Sequence, residues 1–248
     1  MALGKFYTKD YTGETVSQNV SWKNRNDPSS MVWAEKTILN EDHNGVAHII
    51  GNSKSRLDFD LNLIKYGQTG GADGVKSVGQ TYGCNLLYKD FAPDFLVCTN
   101  RVLCKELSES EYCKDNIVFS NVKNILEFSN CFHLYPNFRQ KSTGALALQL
   151  ACADGHKKIF LLGMTTYTDS KDNVYHSNEA YGDVHVQGAN NKFVNDCANI
   201  FLLYDDVQFY YVAEYIGLMP EAYNWIPNVK EINKLQYYNL ASLGAVAH

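Results

Sequence analysis

At 248 residues, 45% of them hydrophobic and 20% charged, the chain has the make-up of one sizeable α/β domain, or of one domain with added arms. Its net charge of −5 and lack of any long Lys/Arg cluster argue against DNA or RNA as a bulk partner. No apolar run reaches the length of a membrane span, and the start, MALGKFYTKDYTGETV, lacks the apolar core of a signal peptide.

Seven cysteines form an odd set without a C-x-x-C pair, and Cys84, Cys98, Cys131, Cys152 and Cys197 lie in or beside apolar runs. Free thiols in such places behave as small hydrophobes, which favours a reducing cytoplasm and disfavours structural zinc. The aromatic share is 13%, and the ordinary reading is that these rings fill strands and a core.

Residues 1–44 read as an N-terminal β arm. KFYTKDYTGETVSQNVSWKN alternates polar and aromatic residues about Thr12-Gly13, as a hairpin does; NDPSS breaks the chain, and MVWAEKTIL reads as one more strand. From residue 45 the pattern changes. Apolar, β-rich runs recur at 46–51, 81–85, 95–99, 116–119, 131–135, 158–164 and 207–213. Helical patterns fall between several of them, at 57–66, 86–91, 101–110, 143–154 and 190–204.

The clearest helix is STGALALQLACADGHKK, with Ser142 or Thr143 as its cap and Asp154-Gly155 as its stop. KIFLLGM follows at once, uniformly apolar as a strand covered on both faces should be. The alternation predicts an α/β fold with a mostly parallel sheet and helices on both faces. The Gly-rich stretch 67–80 reads as a loop, and 216–248 as an aromatic tail packed on a domain spanning 45–215.

In such a sheet, ligands bind beyond the strand C-termini. Four segments should meet there: Gly51-Asn52-Ser53, Gly83-Cys84-Asn85, Thr99-Asn100-Arg101 and Gly163 to Tyr167. Asn52, Asn85 and Asn100 each stand where the chain leaves a strand. A carboxamide both donates and accepts, so it can read a nucleobase edge or a ribose hydroxyl; Asn is equally a common turn and cap residue.

The stretch GMTTYTDSKDNVYHSNEAYGDVHVQGANNKF, 163–193, has little apolar periodicity and reads as a binding loop. Tyr167, Tyr175 and Tyr181 offer phenolic donors suited to phosphate oxygens. His185, just before a helix, is a candidate general base, whereas His176 reads as incidental. His48 and His133 read as strand histidines, and His156 lies at the wrong edge. Asp169, Asp172, Glu179 and Asp183 match no named metal loop.

The order HIIGNSKS, YGCNLLY, STGALALQLACADGHKKIFLLGMTTY and a loop histidine before a helix resembles bacterial sialyltransferases of the lipooligosaccharide type, glycosyltransferase family 42. Those resemble a broader Rossmann-like group that includes pterin diphosphokinase-like enzymes, and the chain also looks like uncharacterised tailed-phage proteins.

The likeness covers roughly residues 46 to 213. It implies a Rossmann-like nucleotide-binding domain and a metal-independent glycosyltransferase with a nucleotide-sugar donor and a carbohydrate or other hydroxyl acceptor. No cofactor is implied, and the location would be cytoplasmic, in the host if phage-encoded.

Carried over, Asn52 and Asn85 would contact the nucleotide, and Gly51, Ser53 and Asn100, at the same strand ends, are further nucleotide-binding candidates. Thr143-Gly144 would open the penultimate helix at the phosphate, Tyr167 and Tyr175 would hold the departing phosphate, and His185 would be the base. Thr165 stands where the family has Asp. Two alternatives stay open: a Mg²⁺-dependent diphosphokinase, and a non-catalytic binding or assembly protein, whether self-associating or bound to a partner.

Overall fold

A computed structural model describes residues 2–9, 15–22, 31–33, 45–68, 79–128, 131–135, 141–166, 170–181 and 186–241. At the N-terminus, β1 (Ala2–Lys9) and β2 (Thr15–Trp22) pair antiparallel from Ala2↔Trp22 to Lys9↔Thr15. β3 (Met31–Trp33) adds to β2 through Val20↔Trp33. The expected hairpin is present; its Thr12-Gly13 turn, the NDPSS break and the Gly-rich stretch at 69–78 lie outside the described residues.

The main body is built on β4 (Val46–Ile50), β5 (Gln80–Cys84), β6 (Phe95–Val97), β7 (Ile117–Ser120), β8 (His133–Leu134), β9 (Lys158–Leu162), β10 (Gln208–Ala213) and β11 (Val229–Asn233). These form one eight-stranded sheet in the order β11-β10-β9-β4-β5-β6-β7-β8, with every neighbouring pair parallel. The fold is therefore α/β and Rossmann-like. A parallel sheet must be covered on both faces, which is why the last four residues of β4 and of β9 are all buried and, His48 apart, apolar.

On one face pack α1 (Leu61–Gln68), α2 (Arg101–Glu109), α3 (Tyr112–Asp115), α4 (Val122–Glu127) and α7 (Lys234–Leu240). Ile50, Leu96, Phe160 and Leu162 meet Ile64, Leu103, Leu107 and Tyr237 there. On the other, Ile49, Val97, Ile159, Leu161 and Phe209 meet α5 (Thr143–Ala153) and α6 (Val186–Leu203) through Leu146, Leu150, Ile200 and Phe201. Seven of the eleven residues of α5 are buried, because it is sandwiched between the sheet and α6; hence its apolar residues run all round. Among the described residues no helix is long and apolar enough to cross a membrane.

Several boundaries differ from the expected ones. Residues 57–66 split into a 3-10 turn at Lys54–Asp58 and then α1, and 86–91 is a 3-10 turn at Asn85–Lys89. α6 begins at Val186, four residues earlier than the apolar pattern starts. Residues 216–248, expected as a tail, contribute β11 as an edge strand and α7 as a covering helix. VKEIN, with only Val229 and Ile232 buried, is too polar to announce itself, as an edge strand with one covered face tends to be.

His48 is fully buried, its Nδ1 3.0 Å from the Tyr237 hydroxyl, so α7 is held on β4 by a buried polar contact. His156 lies in the α5–β9 turn, at the sheet edge opposite the strand C-termini, beside Tyr82 and Asp154. The Tyr82 hydroxyl donates to Asp154 Oδ2 at 2.6 Å and stands 3.0 Å from His156 Nε2. Burial pushes the Asp154 carboxyl up to about 7, against the opposing pull of the Tyr82 hydrogen bond.

A carboxyl with a raised folded pKa holds a proton that the unfolded chain releases near 3.8. Its contribution is therefore present at pH 4 and lost as the pH climbs through 7. Asp154→Asn should remove that loss. Thermal unfolding should show the variant ahead of wild type at pH 8, by about 2–4 kcal/mol, with the two converging near pH 4.

Candidate functional site

β4 is the first strand of the sheet in chain order. The chain runs outward from it through β5 to β8, then returns to lay β9 on its other side and continues to β11. The order reverses between β4 and β9. At such a switch point the loops leave in opposite directions and open a crevice, the usual ligand site of doubly wound folds.

The two strand ends nest closely. Gly51 N donates to Leu162 O at 2.8 Å and Ser53 N to Gly163 O at 3.1 Å. A Cβ on Gly51 would lie 2.2 Å from Gly163 O, so no side chain fits. Gly163 has φ +61°, and a Cβ there would come within 2.6 Å of Arg56 Cβ.

Asn52 is 5% exposed. Its Nδ2 donates across to Cys84 O at 3.3 Å, which fixes the amide's orientation since only the NH₂ can donate to a carbonyl. Its Oδ1 is then left buried without a hydrogen-bond partner. Next to Cys84, Asn85 is the only non-glycine residue of positive φ, at 54°, among the described residues. Its Oδ1 is also buried and unpartnered. An unmet buried acceptor costs about 1–3 kcal/mol, and a non-glycine left-handed residue adds about 1–2 kcal/mol. Both penalties fall at one place, the end of β5 beside the switch point.

Hydroxyls gather at the same strand ends. Thr165 bonds Ser53 directly, and Ser55 Oγ lies 3.3 Å from both Ser53 Oγ and Thr165 Oγ1. Thr143 Oγ1, at the first residue of α5, is 3.0 Å from Thr99 Oγ1, which brings that helix start to the end of β6. The cap residue Ser142 makes no side-chain bond to the helix; its Oγ is buried and unpartnered. Gly144 faces Phe193 and Met164, which a Cβ would meet at 3.3 and 3.6 Å.

The expected residues do not all share one role. Asn100 is an exposed N-cap of α2, its Oδ1 accepting from Val102 N at 2.9 Å and Leu103 N at 3.5 Å. Its acceptor is consumed by the helix it starts, so of the three strand-end asparagines only Asn52 and Asn85 keep a free oxygen. Tyr175 is buried, and its hydroxyl donates to Asp90 Oδ2 at 2.8 Å while accepting from Arg56 Nη2 at 2.7 Å. That hydroxyl has its proton and a lone pair engaged within the protein, and burial pushes its pKa far up. Tyr167 and His185 lie outside the described residues; α6 starts at the residue after His185.

His176 is exposed, with Nδ1 3.2 Å from Asn173 O. Among the described residues no three His, Cys, Asp or Glu side chains gather as a metal cluster. Cys84 sits beside both asparagines, but burial pushes its thiol up to about 12, Arg56 pulling the other way, so it is a neutral thiol at pH 7.

Sequence reading missed Arg56, Asp90 and Asn173. Arg56 lies in a polar run, KSRLD, that carries no sign of burial, yet it is 2% exposed. Asn173 bridges to Ser53, and Val174 N donates to Asn52 O at 2.8 Å, so the loop after β9 is laid along the end of β4. The strand ends thus bring two buried acceptor oxygens without partners, a cluster of hydroxyls and a helix start to one edge of the sheet. Such groups suit a ligand that offers N–H or O–H donors together with an anionic group.

No protein-family model matches the chain, and no curated protein matches it. Among solved structures, it is similar to the sialyltransferase CstII in complex with CMP, as a point variant, at 12% identity and a TM-score of 0.47, over 79% of this chain and 98% of that one. It is similar as well to CstII from Campylobacter jejuni in complex with a substrate analogue, cytidine-5'-monophosphate. There the identity is 14% and the TM-score 0.46, over 82% of this chain and 99% of that one. A second point variant with CMP aligns at 13% identity and a TM-score of 0.41.

Proposed function

We propose that the chain is a glycosyltransferase-like protein that takes a nucleotide-sugar donor at the β4/β9 switch point. The observation that carries this reading is the pair of buried, unpartnered carboxamide oxygens on Asn52 and Asn85. Each accepts from an amino or hydroxyl group of the nucleoside. The hydroxyls of Ser53, Ser55 and Thr165 and the start of α5 at Thr143-Gly144 lie to the phosphate side, where uncharged donors and a helix N-terminus favour an anion.

His185 takes the proton of the acceptor hydroxyl as that oxygen attacks the sugar carbon and the bond to the nucleotide phosphate breaks. Tyr167 donates a hydrogen bond to the departing phosphate. The resemblance in motif order supports a sugar-nucleotide donor and a transfer that needs no metal.

The test is thermal unfolding with CMP, UDP, GDP, ATP and their sugar conjugates, each with and without Mg²⁺. A ligand at a hundred times its dissociation constant stabilises a fold by about 2.7 kcal/mol, a shift of roughly 5–10 °C for a chain of this size. The expected result is a metal-independent shift with one nucleotide class. His185→Ala should keep that shift and abolish transfer. Silence with every nucleotide overturns the proposal, and a shift confined to ATP with Mg²⁺ replaces it with phosphoryl chemistry.

A further inference from the structure

We infer that Arg56, with Asp90 and Tyr175, is a positioning cluster that sets the spacing of the two asparagine oxygens. Arg56 follows Asn52 on the 3-10 turn Lys54–Asp58. Asp90 is the C-cap of the 3-10 turn that begins with Asn85. Tyr175 belongs to the loop after β9. One buried group thus joins the three segments that carry or cover the site.

The joint is closed. Arg56 Nη2 donates to Asp90 Oδ2 at 2.6 Å and to the Tyr175 hydroxyl at 2.7 Å, and that hydroxyl donates to the same Asp90 oxygen at 2.8 Å. The guanidinium carbon lies 5.4 Å from the Tyr175 ring centroid. Arg56 is 2% exposed, whereas the Asp90 side chain is 45% exposed, so Asp90 reaches inward from the rim to neutralise a buried cation. A buried guanidinium is tolerated only when paired, so moving either partner segment takes from it the Asp90 carboxylate or the Tyr175 hydroxyl. The stem of Arg56 packs on Gly163, so the cluster also abuts the end of β9.

The loop is tied down a second time, through Val174 N to Asn52 O and Tyr175 N to Asn173 Oδ1, each at 2.8 Å. Asn52 therefore sees the loop through its own carbonyl, and Asn85 sees it through Asp90. Tyr175 acts by holding these segments and not by touching the ligand phosphate.

The inference rests on the proposed nucleotide site, and its test separates the two. Tyr175→Phe keeps the ring and removes the hydroxyl. The first readout needs no ligand: native-state hydrogen exchange at the Val174 amide should speed up by about 10-fold, while amides between β4 and β9 keep their protection. The second is affinity for the nucleotide that stabilises the wild type. It should fall by about 10-fold in the wild-type background and change little in an Asn85→Gly background, because a positioning effect has nothing left to position.

Asp90→Asn, at a half-exposed site, is the second variant and should give the same pattern. Unchanged Val174 exchange, or an equal loss of affinity in both backgrounds, overturns the inference. If the wild type binds no nucleotide, the function proposal fails and the exchange result alone decides the positioning role.

Discussion

Alanine at Gly51 is expected to destabilise the fold by about 3 kcal/mol or more, a fall of roughly 6–12 °C in unfolding temperature. The added Cβ would stand 2.2 Å from Gly163 O, a backbone atom that cannot swing aside as a side chain can. That carbonyl also accepts from Ser53 N, so relieving the overlap means parting the ends of β4 and β9 at the crevice. Gly45→Ala is the control. Gly45 has φ +80° and nothing within 4 Å of its would-be Cβ, so alanine there meets only the left-handed backbone penalty of about 1–2 kcal/mol. Urea or thermal unfolding of both variants checks the order. Equal losses would mean that the strand ends are not locked together as described.

Asn85→Gly is expected to cut nucleotide affinity by about 10- to 100-fold while leaving the unliganded protein as stable as wild type, or about 1 kcal/mol more so. Glycine accepts φ 54° without strain, and its introduction removes a buried oxygen that has no partner in the protein. Asn85→Ala removes the same oxygen but keeps a Cβ in the left-handed region, so it should lose the same affinity and be less stable than Asn85→Gly by about 1 kcal/mol. The pair separates the carboxamide from the backbone. Calorimetric titration with the nucleotide found in the screen, alongside unfolding of the free proteins, supplies both numbers. A gain in stability at the expense of binding is the signature of a residue kept for a ligand. Wild-type affinity in Asn85→Gly would remove Asn85 from the site.

Much of the architecture was legible in the chain because it is encoded over short distances. Val46–Ile50, Lys158–Leu162 and the Ala/Leu body of α5 announce buried elements by composition alone. Their alternation implies a parallel sheet, and the strand-end positions of Gly51-Asn52-Ser53 and Asn85 follow from the direction such strands share. The short α3 and α4 and the polar edge strand β11 were not legible, since none carries a full apolar period of its own.

The division between local and long-range information is plainest at the three strand-end asparagines. In sequence, Asn52, Asn85 and Asn100 look alike, each a carboxamide where an apolar run stops. Asn100 becomes a helix cap through contacts two and three residues away. Asn52 turns its amide to a carbonyl 32 residues away, on the neighbouring strand, and that choice leaves its oxygen bare. Which asparagine has its acceptor consumed is decided by what the fold brings beside it.

The same holds for Arg56, which meets Asp90 across 34 residues and Tyr175 across 119. By itself, then, the sequence determined the periodicity of the elements, the turns that end the strands and the kinds of side chain delivered to that edge, because these depend on residues a few positions apart. Only the tertiary structure decided that the strand order reverses between β4 and β9, that a polar-looking Arg56 is buried there, and that Asn52 and Asn85, at neighbouring strand ends, keep buried oxygens without partners. Those outcomes depend on pairings between segments far apart in the chain, which no local pattern specifies.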